Sequence, residues 1–188
     1  MSNLDLNIVL YEPEIPQNTG NIMRTCVATN ATLHLIKPLG FSLEEKHLKR
    51  SGLDYIKDLK LHVYDNFEHF KSENPSNYYF LTRYGHKNYK EVDFTKENGK
   101  IYLIFGKEST GVDRHLLKEN LSRCYRIPTT DKVRSLNLSN AVAIVTYEVL
   151  SQYGFPNLFT EEPETLKGAN FLDDYLWKNL KEETKHNR

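Results

Sequence analysis

The stretch IPTTDKVRSLNLSNAVAIVTYE, residues 127–148, decides how the rest of the chain is read. A short apolar end over 124–127 breaks at Pro128, which cannot extend a strand ladder. A polar loop runs on to Arg134, with Val133 its one apolar residue. Ser135 to Asn140 then lead into a helix whose apolar positions Leu138, Ala141, Val142, Val145 and Val149 recur at helical spacing. That helix starts among good N-cap residues and stops at Gly154, with Pro156 two residues beyond. Backbone N–H groups at such a start can hold a polar ligand, and Ser and Asn side chains add donors beside them. A plain capped helix on a sheet has the same spacing. The length and polarity of the loop keep a binding role open.

Outward from this stretch, apolar strand-like runs occupy 7–11, 32–37, 60–64, 78–83, 100–105 and 124–127. Pro13 and Pro16 close the first run, and Asn18 can cap a helix over about 19–29 with Ile22, Met23, Cys26 and Val27 inward. Ser42 with Glu45, and Asp65 with Glu68, have capping-box spacing. They predict one helix to about Ser51, with Lys46, His47, Lys49 and Arg50 outward, and another ending before Asn74-Pro75. A further helix over about 113–121 completes the alternation. The fold class expected is α/β, a mainly parallel sheet flanked by helices on both faces. Residues 1–156 form the domain, and 157–188 a charged, partly helical tail in which Phe171, Leu172, Tyr175 and Leu176 make one apolar stripe.

Composition narrows the function. Apolar residues are 39% and charged residues 27%, as in a soluble globular protein. Lys plus Arg and Asp plus Glu number 25 each, so attraction for a polyanion must come from a local patch. Cys26 and Cys124 lie far apart among apolar residues, which suits a reduced, cytoplasmic protein and makes no zinc ligand set. No signal sequence and no run near the ~18 residues of a membrane span is present. The glycine patterns of nucleotide-binding loops and the serine elbow of hydrolases are missing, and the seven histidines are scattered, so no metal is expected.

Three polar loops fall at strand C-terminal ends, where open parallel sheets place ligands. They are Asn18–Arg24, Phe105–Gly111 and the opening stretch. Their patterns N-x-G-N-x-x-R, F-G-x-E-x-x-G and I-P…S-L-N-L-S-N-A resemble, in this order, the three motifs of SPOUT methyltransferases of the SpoU class. LNIVLYEPEIPQNTGNIMR and RSGLDY further resemble the minimal TrmL/YibK group, tRNA 2′-O-ribose methyltransferases acting on C or U at wobble position 34. The likeness covers roughly residues 6–156.

This resemblance implies a C-terminal trefoil knot, S-adenosyl-L-methionine as cofactor and a homodimer acting on a tRNA anticodon stem-loop. Topology rules alone predict an unknotted sheet. By position, cofactor contacts fall on Leu81, Gly106, Ile127, Ser135 and Leu136, and functional polar residues on Asn18, Arg24, Glu108, Ser135 and Asn137. A guanidinium stays protonated, so Arg24 fits a fixed cation beside a developing alkoxide or phosphate better than a base. Glu108 either takes a proton, directly or through water, or holds its loop. Asn18 can cap a helix and serve the site at once, and Gly111 supports its turn. Lys46, Lys49, Arg50 and Arg134 are the candidate RNA contacts. Two other readings are an rRNA 2′-O-methyltransferase and a non-catalytic RNA-binding protein on the same scaffold. The first is disfavoured because strand one starts at residue 7, leaving no room for an N-terminal RNA-binding domain. The second is disfavoured by the intact Arg24, Glu108, Ser135 and Asn137.

Overall fold

The computed structural model describes residues 4–43 and 56–173. The helix expected over 42–51, the RSGLDY segment and the side chains of Lys46, Lys49 and Arg50 lie outside the described residues, as do Tyr175 and Leu176 of the tail.

An inner strand of the sheet is β1 (Asp5–Tyr11), in which Ile8, Val9 and Leu10 are fully buried. Burial on both faces is the signature of a strand inside a parallel sheet. β1 pairs with β2 (Thr32–Ile36) on one side and with β6 (Lys100–Gly106) on the other, and β3 (Leu61–Tyr64) extends the sheet beyond β2. On the far side come β4 (Tyr78–Leu81), β7 (Cys124–Arg126) and the two-residue β5 (Lys87–Asn88). The order is β3-β2-β1-β6-β4-β7-β5, with every pair parallel. β5 falls in a stretch whose composition reads as loop. Only two pairs, Lys87↔Tyr125 and Asn88↔Arg126, hold it.

Among the described residues before 157, the α-helices are α1 (Pro16–Thr29), α2 (Phe67–Glu73), α3 (Arg114–Glu119) and α4 (Leu138–Gln152). Val142, Val145 and Val149 of α4 are fully buried, each contributing on the order of 1.5–3 kcal/mol. Packing therefore holds this β-branched helix where propensity alone would not. Gly154 just beyond it has φ 72°, the left-handed stop expected from sequence.

Two helix starts differ from the spacing-based expectation. α1 begins at Pro16, not after Asn18, because a proline in the first turn gives up an N–H that has no intrahelical partner anyway. Ile15 is its N-cap residue and offers no side-chain cap, leaving Asn18 free to point elsewhere. α2 is capped by Asn66, whose side chain accepts from the His69 N–H at 2.8 Å, while Asp65 pairs with Lys37 at 2.9 Å.

Register aligns the loops that matter. Tyr11 lies beside Gly106, Phe105 beside Leu81, and Leu81 beside Tyr125. The C-terminal ends of β1, β6, β4 and β7 thus share one edge of the sheet. Residues Met1–Pro156 form one compact unit and Asn157–Arg188 a second. Within the second, the Leu166 and Gly168 N–H groups both donate to the Pro163 carbonyl, and the Lys167 ammonium sits 4.5 Å from the Phe171 ring centre.

Candidate active site

A cavity of about 760 Å³ opens at this shared edge. Its size is typical of small-molecule sites, ~300–1,000 Å³. All five residues expected to contact a cofactor line it: Leu81, Gly106, Ile127, Ser135 and Leu136. So do Asn18, Glu108 and Asn137 of the expected catalytic set, and Arg134 of the expected RNA contacts. Arg24 does not. It lies on the exposed side of α1, whereas Asn18 faces inward.

Three motifs are tied together by one chain of hydrogen bonds. The Glu108 carboxylate accepts from the Glu14 N–H (2.9 Å), the Ile15 N–H (3.3 Å) and the Asn18 side-chain amide (2.9 Å). It thereby places a negative charge at the start of α1, where the helix dipole and unpaired N–H groups favour one. Asn18 accepts in turn from the Asn137 amide at 2.9 Å. Asn137 is the N-cap of α4, its Oδ1 accepting from the Ser139 N–H (2.9 Å), the Ser139 hydroxyl (2.7 Å) and the Asn140 N–H (3.4 Å). These bonds fix every amide orientation: Asn137 must turn its NH₂ to Asn18, and Asn18 its NH₂ to the carboxylate.

The geometry bears on the two roles open for Glu108. Three donors already occupy its two oxygens, which suits a residue holding its loop. Asn18 is likewise a buried connector and not a helix cap. Ser135 differs: its side chain is exposed in the cavity and makes no hydrogen bond to another described residue.

Flanking clasps press the loop after β1 against the loop after β6. Lys107 pairs with Glu12 at 2.6 Å, and Glu14 accepts from the Ser109 hydroxyl (2.8 Å) and N–H (2.9 Å). The Ser109 hydroxyl, then its N–H, hold the Glu14 carboxyl below the usual range, and the Glu12 hydrogen bond raises the Lys107 ammonium. Burial pushes the Tyr11 phenol beneath them up to about 12. The paired carboxylates of Glu12-Pro13-Glu14 are the sequence signal for these clasps. Their partners, 95 residues away, could not be read from it.

Gly106 owes its identity to close backbone approach. A Cβ there would stand 2.2 Å from the Val112 nitrogen and 2.3 Å from the Gly111 carbonyl carbon. Gly111, at φ 79°, donates its N–H to the Lys107 carbonyl at 2.9 Å and closes the turn. Among the described residues no group of three His, Cys, Asp or Glu side chains is placed to hold a metal.

Known proteins resemble this chain in sequence and in fold. The SpoU rRNA Methylase family matches residues 5–147. A Geobacillus stearothermophilus protein, provisionally named a tRNA (cytidine(34)-2′-O)-methyltransferase, is 51% identical over 154 residues, covering 81% of this chain and 98% of its own. A Yersinia pestis tRNA (cytidine(34)-2′-O)-methyltransferase is 42% identical over 164 residues, covering 84% and 99%. A solved structure concerned with 2-OH methylation of C/U34 on tRNA superimposes with a TM-score of 0.70 at 40% identity, covering 81% of this chain and 98% of that one. With its motifs in order and meeting at one cavity, the chain belongs to the SpoU rRNA Methylase family.

Proposed function

We propose that this protein is an S-adenosylmethionine-dependent tRNA 2′-O-ribose methyltransferase acting at nucleotide 34 of the anticodon loop. The observation that carries the reading is the single cavity into which all three motifs converge. The names of the relatives at 42–51% identity favour tRNA over rRNA as the substrate.

The cavity suits the cofactor chemically. Leu81, Ile127 and Leu136 offer apolar walls for an adenine, and the strand ends about Gly106 bring backbone groups within hydrogen-bonding reach. When bound, the cofactor supplies a sulfonium methyl group. The residues of this chain position the acceptor ribose. A neutral 2′-hydroxyl is a poor nucleophile, so its developing negative charge needs donors held in place beforehand. Ser135 is available for this, and the Glu108–Asn18–Asn137 chain keeps its loop rigid.

The reading includes a homodimer in which the partner subunit's Arg24 completes each site. What supports it is the outward placement of Arg24, together with the exposed Ile144 (38%) and Tyr147 (47%) on α4. It also includes a C-terminal trefoil knot, supported by the insertion of the late strand β7 between β4 and β5.

Transfer of a labelled methyl group from S-adenosylmethionine to tRNA, with the modified nucleotide mapped, tests the activity. Modification anywhere other than position 34 overturns the site assignment. Refolding mixed Arg24→Ala and Ser135→Ala chains tests the shared site. About a quarter of wild-type sites return if the two residues meet across the interface, and none if one chain supplies both.

A further inference from the structure

The cavity concentrates positive charge in a chain whose net charge is zero. Arg83, Arg114, Arg126 and Arg134 all line it, all are exposed, and among the described residues none has a carboxylate partner. Arg123, outside the cavity, pairs with Glu97, and the cavity's Lys107 pairs with Glu12. The carboxylate that lines the cavity, Glu108, is already occupied by three donors. Two guanidiniums are held by neutral oxygens that orient them without neutralising them. Arg126 donates to the Arg83 carbonyl (3.3 Å) and the Thr129 hydroxyl (3.4 Å), and Arg134 to the Ser109 carbonyl (3.4 Å).

The cofactor does not account for this charge. S-adenosylmethionine carries a sulfonium, an ammonium and one carboxylate, so it brings a net positive charge and occupies at most one guanidinium. Four arginines without a carboxylate partner among the described residues suit a ligand with several negative charges, and a nucleic-acid backbone supplies one per nucleotide. Guanidiniums suit phosphate through two parallel N–H···O bonds. Beside them Tyr84 is 43% exposed in the same wall, with the Arg83 guanidinium 5.0 Å over its ring. An exposed aromatic under a cation is a platform for an unpaired base, which a single-stranded loop offers and a duplex does not.

We infer that Arg83, Arg114, Arg126 and Arg134 form a collar that grips the phosphates of a single-stranded RNA loop while Tyr84 stacks on one of its bases. This rests on the methyltransferase reading and adds three arginines and an aromatic to its RNA surface. A second consequence concerns the cofactor. Without RNA, the collar repels the cationic S-adenosylmethionine more than its neutral product, S-adenosylhomocysteine, and RNA binding relieves the difference.

The test measures binding of an anticodon stem-loop oligonucleotide over a range of salt, with product binding followed separately by calorimetry. The Arg83→Gln, Arg126→Gln double variant is expected to lower the salt slope by about 1.4, at ~0.7 per single-strand phosphate contact. Arg114→Gln lowers it by about 0.7, and Arg126→Lys retains it. Tyr84→Ala weakens RNA binding about tenfold at an unchanged slope. Product affinity stays within about threefold throughout, and the preference for product over S-adenosylmethionine shrinks in the double variant. Unchanged slopes in both the double variant and Arg114→Gln overturn the collar. A collapse of product affinity at unchanged slope assigns the arginines to the cofactor carboxylate, which also overturns the collar but leaves the enzyme reading standing. Wild-type protein that binds neither product nor S-adenosylmethionine defeats the enzyme reading itself.

Discussion

Two chains of hydrogen bonds run through this molecule, one sealed and one open. The sealed chain lies across β1, β2 and β3. The Asn7 amide donates to the Asp5 carbonyl, so its oxygen faces His34 Nε2 at 2.9 Å and that nitrogen carries the proton. His34 Nδ1 therefore accepts from the Tyr64 hydroxyl at 3.0 Å. The Tyr64 oxygen accepts from the Asn74 amide (3.1 Å), and the Asn74 oxygen from the Tyr102 hydroxyl (3.0 Å). Each hydroxyl and the ring N–H has one acceptor, the Asn7 and Asn74 amides have two each, and Phe70 packs edge-on against Tyr64, His34 and Tyr102. The open chain, Glu108–Asn18–Asn137, is as well ordered but ends at a cavity where the Ser135 hydroxyl is unspent. The same chemistry makes a fixed core when every donor is used and a site when one group is left over.

The largest expected effect breaks the sealed chain. His34→Leu strands the Asn7 oxygen and the Tyr64 hydroxyl in the core, and stability falls by about 3 kcal/mol in denaturant titration. Methyl transfer at low temperature persists. The same residue sets a pH limit. Burial foremost, then the positive neighbours His62 and Lys100, push the His34 imidazole down to about 4 from 6.5. Between these values the unfolded chain binds the proton and the folded one does not. Stability is thus full above pH 6.5 and declines as pH falls to about 4, losing about 3 kcal/mol. His34→Leu removes that slope. A wild-type stability flat from pH 7 to 4.5 counts against the sealed assignment.

Ser135→Ala addresses the open end. Turnover is expected to fall about 10²-fold, with the melting temperature unmoved, because the hydroxyl supports nothing else. A drop in melting temperature in step with turnover erases the contrast between the two chains.

Glu108→Gln sharpens the comparison further. An amide NH₂ set against three donors loosens the clasp on α1, so stability falls by about 1–2 kcal/mol and turnover falls in proportion to the disorder. Loss of turnover at wild-type stability shows instead that the carboxylate takes the proton.

The smallest effect is at Gly20, in the middle of α1, where an added Cβ meets nothing within 4 Å among the described residues. Gly20→Ala is expected to add up to about 1 kcal/mol of helix stability in denaturant titration. A loss of stability that depends on protein concentration places a second protomer against it.

The sequence by itself determined the alternation of strands and helices, the six longer strands, the stop of α4 at Gly154 and the three loops that meet at the cavity. Each rests on signals within a few residues: apolar runs, prolines, a glycine past a helix end. Tertiary structure alone decided what those loops do to one another. Asn18 reads as a cap because Asn caps helices, yet its partners lie 90 residues away at Glu108 and 119 away at Asn137. β5 has no pattern of its own and exists because β7 presents an edge to it. The arginine collar is scattered over residues 83 to 134 in a chain of balanced charge, and becomes a patch only when β4, β7 and the loop before α4 end side by side. Hydrogen bonds and charges act through space over a few ångströms, whereas sequence patterns record neighbours along the chain.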